Sequence, residues 1–156
     1  MPETAELKEK FWKALSSSPF LFLERNADPK SAIPMTAQLD KDAHSAIWFF
    51  TGRDQSLAPG GPATATFTSK GHDLFARFHG VLVEETSSER LDQHWNHIIS
   101  GWFKGGKEDP KLLFLRMDLG EAEIWNSDLV LVNNVKLLLG MDTSSEAEKQ
   151  HTVTTL

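Results

Sequence analysis

The stretch Pro34-Met35-Thr36-Ala37, followed a short way along the chain by Ile47-Trp48-Phe49-Phe50-Thr51, is the most informative part of this sequence. The first stretch is opened by a proline and is typical of an extended segment. The second is an apolar, aromatic run of the kind found in a buried strand. Asp40-Lys41-Asp42 lies between them and is typical of a turn. The pattern predicts a β-hairpin of two strands, residues 33–39 and 46–51.

Hydroxyl groups and a cation gather where the two predicted strands end. The strands contribute Thr36 and Thr51, and the second is followed by Arg53, Asp54 and Ser56. Hydroxyls, free backbone N–H groups and a guanidinium can together hold a phosphate. We therefore take this strand end as a candidate phosphate site.

Composition limits the class of protein. With 156 residues, 40% hydrophobic and 24% charged, residues 1–156 are expected to form one globular domain. The absence of cysteine excludes disulfides and thiolate chemistry and favours a cytoplasmic location. The N-terminus does not resemble a signal peptide, and no apolar run is long enough to span a bilayer. The net charge of −6 argues against a nucleic-acid partner, so neither nucleic acid nor membrane is expected.

Two helices are predicted from apolar residues at helical spacing. The first begins near Thr4 and carries the stripe Leu7, Phe11, Trp12 and Leu15. The second is one long helix over residues 87–103, placed between strands. A first helix and a later one, separated by strands, favour a small antiparallel barrel over a doubly wound sheet.

Six or seven strands account for most of the remaining sequence. Besides the hairpin, they are predicted at residues 20–23, 63–68, 73–84, 112–119 and 122–125. Gly80 is expected to mark a bulge or a close approach within its strand. Residues 130–139 remain ambiguous between strand and helix. The end of the chain, residues 143–156, is interpreted as a mobile tail or, from His151, as an edge strand.

No motif points to a metal or to a catalytic acid or base. His94 and His97 lie three residues apart, but no third ligand is evident, so they are interpreted as surface histidines of the long helix. Gly106-Lys107 partly matches a phosphate loop, yet Glu108 replaces the required Ser or Thr. A serine hydrolase has no supporting motif.

Taken in order, several segments resemble the FMN-binding split-barrel families. These are the pyridoxamine-5'-phosphate-oxidase-like proteins, and most closely their short general stress branch. The matching segments are the N-terminal helix, Pro34-Met35-Thr36, Phe49-Phe50-Thr51, Ser56, the strand reaching Phe67 and Ser69, the strand through Gly80, and Glu121-Ala122-Glu123-Ile124-Trp125. The resemblance runs from the first helix to about Leu139. It implies a mainly β fold, a six- to seven-stranded antiparallel split β-barrel with Greek-key-like connections.

The resemblance also implies a cofactor site. In the family, the Pro-Met-Thr strand lies along the isoalloxazine ring through its backbone. The Phe-Thr strand end, a following serine and a basic residue hold the phosphate, and a late tryptophan lies near the flavin. Here Ile33 and the segment at Ala58 replace the usual arginine and lysine, so Arg53 and Lys70 are taken as substitutes. The implied set is Met35, Thr36, Ala37, Phe50, Thr51, Arg53, Ser56, Lys70 and Trp125.

What the resemblance implies for function is a homodimer with FMN at the subunit interface; FAD or another flavin remains open. The flavin would carry out hydride or electron transfer on a small molecule. True pyridoxamine-phosphate oxidation is not expected, because the additional basic residues for a second phosphate are missing. Alternatives are a non-catalytic flavin carrier, sensor or stress-response module, and a barrel that binds no flavin.

Two apolar features lead to predictions about assembly. Strand alternation puts Trp125 on the face opposite Ile124, so Trp125 is expected to point outward and to cover the flavin site or a dimer contact. The apolar run Leu129-Val130-Leu131-Val132 would leave much hydrophobic surface exposed on a single barrel. A C2 dimer is therefore expected.

Overall fold

The chain, described by a computed structural model over residues 2–41, 43–126 and 151–156, folds around one antiparallel β-sheet. The helices are α1 (Pro2–Ser17), α2 (Ser88–His94) and α3 (His97–Trp102), with a 3-10 turn at Gly106–Glu108. The strands are β1 (Phe20–Arg25), β2 (Asp28–Thr36), β3 (Gln38–Asp40), β4 (Ala43–Gly52), β5 (Gly61–Thr68), β6 (Leu74–Glu84), β7 (Leu112–Asn126) and β8 (His151–Thr155).

The sheet curls until its two end strands meet. Its strand order is β2-β1-β5-β6-β7-β4-β3, and β8 pairs with the C-terminal half of β7. The two ends of this order, β2 and β3, are separated in the chain only by Ala37. The predicted fold class, a mainly β antiparallel split barrel with added helices, is confirmed. None of the helices in the described ranges combines the length and the apolar character needed to cross a membrane.

Helix α1 closes the barrel with the predicted apolar stripe. Leu7, Phe11 and Leu15 are buried in the core of the sheet, as expected from their spacing. The ring of Phe11 packs edge-on against Phe67 and Phe78, at centroid distances of 6.0 and 5.4 Å. Burying one such ring stabilises a fold by roughly 1.5–3 kcal/mol, so α1 is an integral part of the core.

A second apolar cluster lies on the outer face of β4 and β7. Trp48, Phe50 and Phe114 are buried there against Ile99 and Phe103 of the helical segment. This cluster explains why the apolar run of β4 is continuous, because both faces of the strand are covered.

The single long helix predicted over residues 87–103 is wrong, since the segment forms two short helices. Trp95 has extended backbone angles and ends α2. The Asn96 side chain then accepts hydrogen bonds from the N–H groups of Ile98 and Ile99 and begins α3. Asparagine side chains accept hydrogen bonds from backbone N–H groups and so begin new helices. The spacing of the apolar residues alone does not indicate such a break.

The predicted hairpin is correct only near its tip. Gln38 pairs with Trp48, but the preceding part of the first strand pairs with β1 instead, with Thr36 opposite Phe20. In the strand predicted at residues 20–23, Leu21 and Leu23 are buried, whereas Phe20 and Phe22 are exposed. The first half of the hairpin prediction is therefore wrong, because strand patterns do not specify which strand is the partner.

The long strand β7 replaces the two strands predicted at residues 112–119 and 122–125. Gly80 forms the predicted bulge, since the β6–β7 register shifts between Phe78 and Gly80. A Cβ added at Gly80 would lie 2.4 Å from the carbonyl oxygen of Asp118, so the close approach requires glycine. Bulges bend strands and allow a sheet to close.

The last residues form an edge strand, one of the two predicted alternatives. His151 pairs with Trp125, and Thr155 pairs with Glu121. The ambiguous segment 130–139 and the apolar run 129–132 lie outside the described residues.

Candidate functional site

An open seam separates β2 from β4 where the barrel closes. The β3–β4 ladder contains the pairs Gln38–Trp48 and Asp40–Ala43, and in the described ranges no ladder joins β2 to β4. The two strands nevertheless approach each other. Their facing edges therefore present backbone N–H and C=O groups outside any ladder, which a ligand can pair with.

The seam brings together five of the predicted site residues. Met35 and Thr36 end β2, Ala37 follows them, and Phe50 and Thr51 lie near the end of β4 on the other side of the seam. Ala37 and Thr51 are buried nearby, and Met35 packs against the core. The seam thus offers mainly backbone and hydroxyl groups.

Phe50 is oriented away from the seam. Its ring stacks on Phe114 at a centroid distance of 4.5 Å and meets Trp95 edge-on at 6.0 Å, inside the outer apolar cluster. Any contact of Phe50 with a ligand in the seam is therefore limited to its backbone.

A side-chain hydrogen bond joins the turn after β4 to strand β2. Ser56 Oγ donates a hydrogen bond of 3.3 Å to the carbonyl oxygen of Ser31. Ser31 is fully buried, and its own hydroxyl donates to the Asp28 carbonyl and accepts from the Arg25 N–H. The Arg25 guanidinium donates from Nε to the carbonyl oxygen of Gly60 at 3.1 Å. Ser56 thus lies in a polar network that also holds a cation.

Arg25 is the site candidate that sequence reasoning missed. It lies far from Ser56 in the sequence and reaches the carbonyl oxygen of Gly60 because β1 pairs with β5, with Arg25 opposite Ala63. The sequence did contain a signal for this region, because the strand predicted at residues 20–23 is followed by a polar turn that includes Arg25. The sequence did not show that this strand pairs with β5, which brings Arg25 close to Gly60.

Arg53, the predicted phosphate cation, points toward β6. Its Nη2 donates to Glu84 Oε1 at 2.5 Å, and both side chains are about half exposed. Its backbone N–H donates to the carbonyl oxygen of Lys111. Exposed ion pairs of this kind stabilise by only about 0–1 kcal/mol, so the guanidinium can exchange Glu84 for another anion.

Lys70 lies at the opposite end of the sheet from Arg53. It follows Thr68, whose partner in the β5–β6 ladder is Phe75, whereas Arg53 contacts Glu84 at the other end of β6. At about 3.3 Å per residue, the strand from Phe75 to Glu84 is about 30 Å long. One subunit therefore does not bring Lys70 and Arg53 to the same phosphate.

Trp125 points outward, as alternation predicted. It is 36% exposed, whereas its neighbour Ile124 is fully buried. The indole stacks on the His151 ring at 5.4 Å, and the Arg77 guanidinium lies 5.8 Å from its centroid. Trp125 pairs with Phe75 in the β6–β7 ladder, so it too is distant from Arg53.

The surface around Trp125 is an apolar hollow of about 480 Å³ on the outer face of the sheet. Four of its aromatic rings are exposed, although large exposed apolar surfaces are uncommon on proteins that act alone. The hollow borders the seam, because Thr36 pairs with Phe20. Its lining residues are Phe20, Leu21, Phe22, Pro34, Thr66, Phe67, Thr68, Phe75, Ala76, Arg77 and Trp125.

A buried polar group lies beneath α2, away from the seam. The Trp48 indole donates from Nε1 to Glu85 Oε1 at 3.0 Å, and Arg116 donates to the other oxygen of Glu85 at 3.2 Å. Burial acts to raise the pKa of Glu85. The hydrogen bonds from Trp48 and from the Ser87 N–H, with the charge of Arg116, outweigh it and hold that pKa below its usual value.

His94 belongs to this buried group, so its interpretation as a surface histidine is wrong. It is 7% exposed and stacks on Trp48 at a centroid distance of 5.2 Å, whereas His97 is exposed. Its Nε2 has no hydrogen-bond partner in the part of the chain that the structure describes. Burial lowers the pKa of His94. Within the same part, no three His, Asp or Glu side chains are grouped to hold a metal ion.

Comparison with known families gives a match over nearly the whole chain. Residues 6–150 match the family described as "Pyridoxamine 5'-phosphate oxidase like". Among curated proteins, none matches the chain.

Solved structures with the same fold include two from xanthomonads. A general stress FMN/FAD binding protein from Xanthomonas citri is 43% identical, with a TM-score of 0.72 over 80% of this chain and 91% of that chain. A general stress family protein from Xanthomonas campestris pv. campestris is also 43% identical, with a TM-score of 0.68 over 79% and 90%. A protein described as general stress protein 26, from Jannaschia sp. CCS1, is 28% identical, with a TM-score of 0.78 over 97% and 99%.

Proposed function

This chain belongs to the pyridoxamine 5'-phosphate oxidase-like family, and we propose that it binds a flavin, with FMN as the expected form. The observation that carries the proposal is the seam between β2 and β4, where backbone groups outside any ladder lie next to hydroxyls and arginines. A planar ring with hydrogen-bonding edges and a phosphate tail suits this donor set. The 43% identical protein from Xanthomonas citri, described as FMN/FAD binding, supports the same conclusion.

The residues assigned to the flavin follow from their places along the seam. We propose that the backbone of Met35, Thr36 and Ala37 lies along the ring. The phosphate meets the turn after β4, at Thr51 and Ser56. Arg53 takes the place of the cation that holds the phosphate in the family. Arg25 is added because its backbone N–H joins the hydrogen-bond network of Ser56 and its guanidinium donates to Gly60 in the same turn. A donor set with two arginines compensates for Ile33 and Ala58, which replace the cations of many relatives.

A second copy of the chain is part of the proposal. Trp125 and Lys70 are separated from Arg53 by about 30 Å of strand, farther than one FMN extends, so a single subunit does not place all three at one flavin. The exposed aromatic hollow that contains Trp125 is a surface that a partner would cover. We therefore propose a C2 homodimer in which Trp125 and Lys70 of one subunit approach the flavin held by the seam of the other.

The activity proposed is that of a flavin-dependent oxidoreductase acting on a small molecule. A bound flavin supplies the hydride or electron transfer, and the chain binds and orients it. Met35, Thr36 and Ala37 contribute no group that titrates near neutral pH, so no acid or base is assigned to them. The lack of a titrating group at Met35, Thr36 and Ala37 also favours the second candidate function, a non-catalytic flavin carrier or sensor. On composition, we also propose one domain over residues 1–156 and a cytoplasmic location.

Visible absorbance and reduction by a nicotinamide cofactor test these functions in turn. The protein is incubated with FMN, freed of unbound ligand and scanned for the flavin absorbance band; retention of the band is the expected result. Anaerobic addition of NADH or NADPH then bleaches the band if the protein turns over as an oxidoreductase. A retained band that neither donor bleaches supports the carrier or sensor function. A folded protein that retains no flavin contradicts the proposal.

A further inference from the structure

A second cleft lies on the side of the β4 turn that faces α3. Its volume is about 530 Å³, and it shares no residue with the hollow around Trp125. The turn separates it from the seam: Gly52, Asp54 and Gln55 line the cleft, while the next residue, Ser56, reaches Ser31 at the barrel mouth. The remaining lining residues are Trp102, Phe103, Lys104, Asp109, Pro110 and Lys111.

Trp102 gives the cleft an aromatic wall. It is the last residue of α3 and is 56% exposed, an unusual state for the largest apolar side chain. The neighbouring Phe103 is buried in the outer cluster together with Ile99, so the backbone that carries the indole is anchored. An exposed indole on a fixed backbone is a suitable platform for stacking a planar base.

Two lysines border the same cleft without an ion-pair partner. Lys104 and Lys111 are exposed, and neither forms an ion pair within residues 2–41, 43–126 and 151–156. Lys107, on the adjoining 3-10 turn, differs because its Nζ donates to Asp92 at 2.7 Å. The ammonium groups of Lys104 and Lys111 are therefore available to pair with the phosphates of a ligand.

The two carboxylates in the cleft are suited to other roles. Asp109 accepts hydrogen bonds from the backbone N–H groups of Lys111 and Gly105, both at 2.9 Å, which fixes the loop that carries the lysines. The bond from the Lys111 N–H is the main reason that the pKa of Asp109 lies below its usual value. Asp54 accepts one weak hydrogen bond, from Gln55 Nε2 at 3.5 Å, so its oxygens can also accept hydrogen bonds from sugar hydroxyls.

From this combination we infer that the cleft binds the adenosine diphosphate moiety of a dinucleotide. Adenine stacks on Trp102, the ribose hydroxyls donate to Asp54, and the pyrophosphate pairs with Lys104 and Lys111. Two dinucleotides carry this moiety. One is FAD, whose flavin half would occupy the seam on the other side of the β4 turn; this source rests on the proposed function. The other is a separate nicotinamide dinucleotide that donates electrons.

Direct binding of ADP tests the inference without any flavin. ADP is titrated into the full chain by isothermal calorimetry, and saturable binding is expected. Trp102→Ala and the double variant Lys104→Ala/Lys111→Ala are each expected to weaken ADP about tenfold or more, because each removes a stacking or charge-assisted contact. Trp102→Phe keeps an aromatic face and should restore most of the affinity. Matched controls are Lys107→Ala, whose ammonium already pairs with Asp92, and Ile98→Ala, an exposed residue of α3 outside the cleft; both should leave the affinity unchanged.

The outcomes separate the two sources and the two proposals. If Trp102→Ala weakens FAD but not FMN, FAD is the ligand. If Trp102→Ala leaves FAD and FMN unchanged while ADP displaces NADH, a nicotinamide dinucleotide is the ligand. ADP binding that is sensitive to Trp102 in a protein that retains no flavin would sustain this inference and contradict the proposed function. The inference is overturned if the wild-type chain does not bind ADP at millimolar concentration, or if the controls weaken binding as much as the cleft variants do.

Discussion

The guanidinium of Arg53 donates a hydrogen bond of 2.5 Å to Glu84, so the cation next to Thr51 already has an anionic partner. A phosphate that approaches the turn after β4 must compete with this carboxylate. Both side chains are about half exposed, and pairs of this type contribute only about 0–1 kcal/mol. At the proposed phosphate site, the pair would therefore lower phosphate affinity without preventing binding.

Removing the cation should discriminate between two forms of the cofactor. Arg53→Ala is expected to weaken FMN about ten- to a hundredfold and to leave riboflavin unchanged, because the lost charge-assisted bond exists only with the phosphate. Fluorescence titration with both ligands measures the difference. Equal losses for FMN and riboflavin would mean that Arg53 acts structurally, and Arg25 would then be the next cation to test.

Removing the competing carboxylate should strengthen FMN binding. Glu84→Gln keeps the shape of the side chain but releases Arg53, and FMN affinity is expected to rise by about 1.4- to 5-fold. Riboflavin affinity in the same titration serves as the control and should not change. A decrease in FMN affinity would show that Glu84 positions Arg53 for the phosphate rather than competing for it.

Trp125 should matter for assembly or flavin more than for folding. Because the ring is 36% exposed, Trp125→Ala is expected to reduce the free energy of unfolding by about 1 kcal/mol or less while it weakens flavin binding or dimer association. Val81→Ala, at an exposed position of β6 outside the hollow, is the matched control. Urea denaturation, flavin titration and sedimentation are compared for the two variants. An unfolded Trp125→Ala variant with no flavin-specific defect in its soluble fraction would place the ring among the core residues instead.

The proposed homodimer can be tested by measuring the mass of the protein in solution. The chain mass is 17.5 kDa, and multi-angle light scattering at micromolar concentration is expected to return twice that value. The physical reason is the aromatic hollow, whose exposed rings a second copy would cover. A mass equal to that of one chain would contradict the dimer and leave Trp125 and Arg53 without a way to meet one flavin.

His94 should make the stability of the fold depend on pH. Burial and the charge of Arg90 lower the pKa of this histidine, against the opposing effect of Asp40 and Glu85. Since the pKa in the folded state lies below the unfolded value of about 6.5, the unfolded chain binds more protons at acidic pH. Stability is therefore retained above about pH 6.5. It falls as the pH decreases below that value, with a slope of at most about 1.4 kcal/mol per pH unit.

Replacing the ring tests this origin. His94→Phe removes a buried nitrogen without a described partner, so the free energy of unfolding near pH 7.5 should rise by about 1 kcal/mol. Its decrease toward about pH 5.5 should be smaller than in the wild type. His97→Phe, at an exposed position on α3, is the control and should keep the wild-type pH dependence. Identical pH profiles for wild type and His94→Phe would exclude His94 as the cause.

The fold class was predictable because it follows from local patterns in the sequence. Alternation and aromatic runs identified the strands, and Gly80 marked the bulge, because a side chain there would meet the backbone of Asp118. Which strands pair with each other was harder to predict from the sequence. The segment ending at Thr36 was assigned to a hairpin with β4, yet it pairs with Phe20 of β1. Register between distant strands depends on how the sheet closes, which no local window contains.

The sequence indicated residue types for a candidate site, but it did not indicate where their side chains point. Thr36, Thr51 and Ser56 do lie along one seam and one turn, but Arg53 turns to Glu84 and Lys70 lies at the far end of the sheet. These directions follow from side-chain partners on other strands, which a sequence does not specify. Arg25 was missed for the same reason, because it reaches Gly60 through the pairing of β1 with β5.

Flavin binding in the seam can be measured by an equilibrium titration of the purified chain with FMN. Flavin fluorescence and isothermal calorimetry follow the same titration, and circular dichroism confirms that the protein is folded. Saturable binding of one FMN per chain is expected, and it should be abolished or strongly weakened in Arg53→Ala combined with Ser56→Ala. A folded chain that shows neither fluorescence change nor heat with FMN, riboflavin or FAD would contradict it.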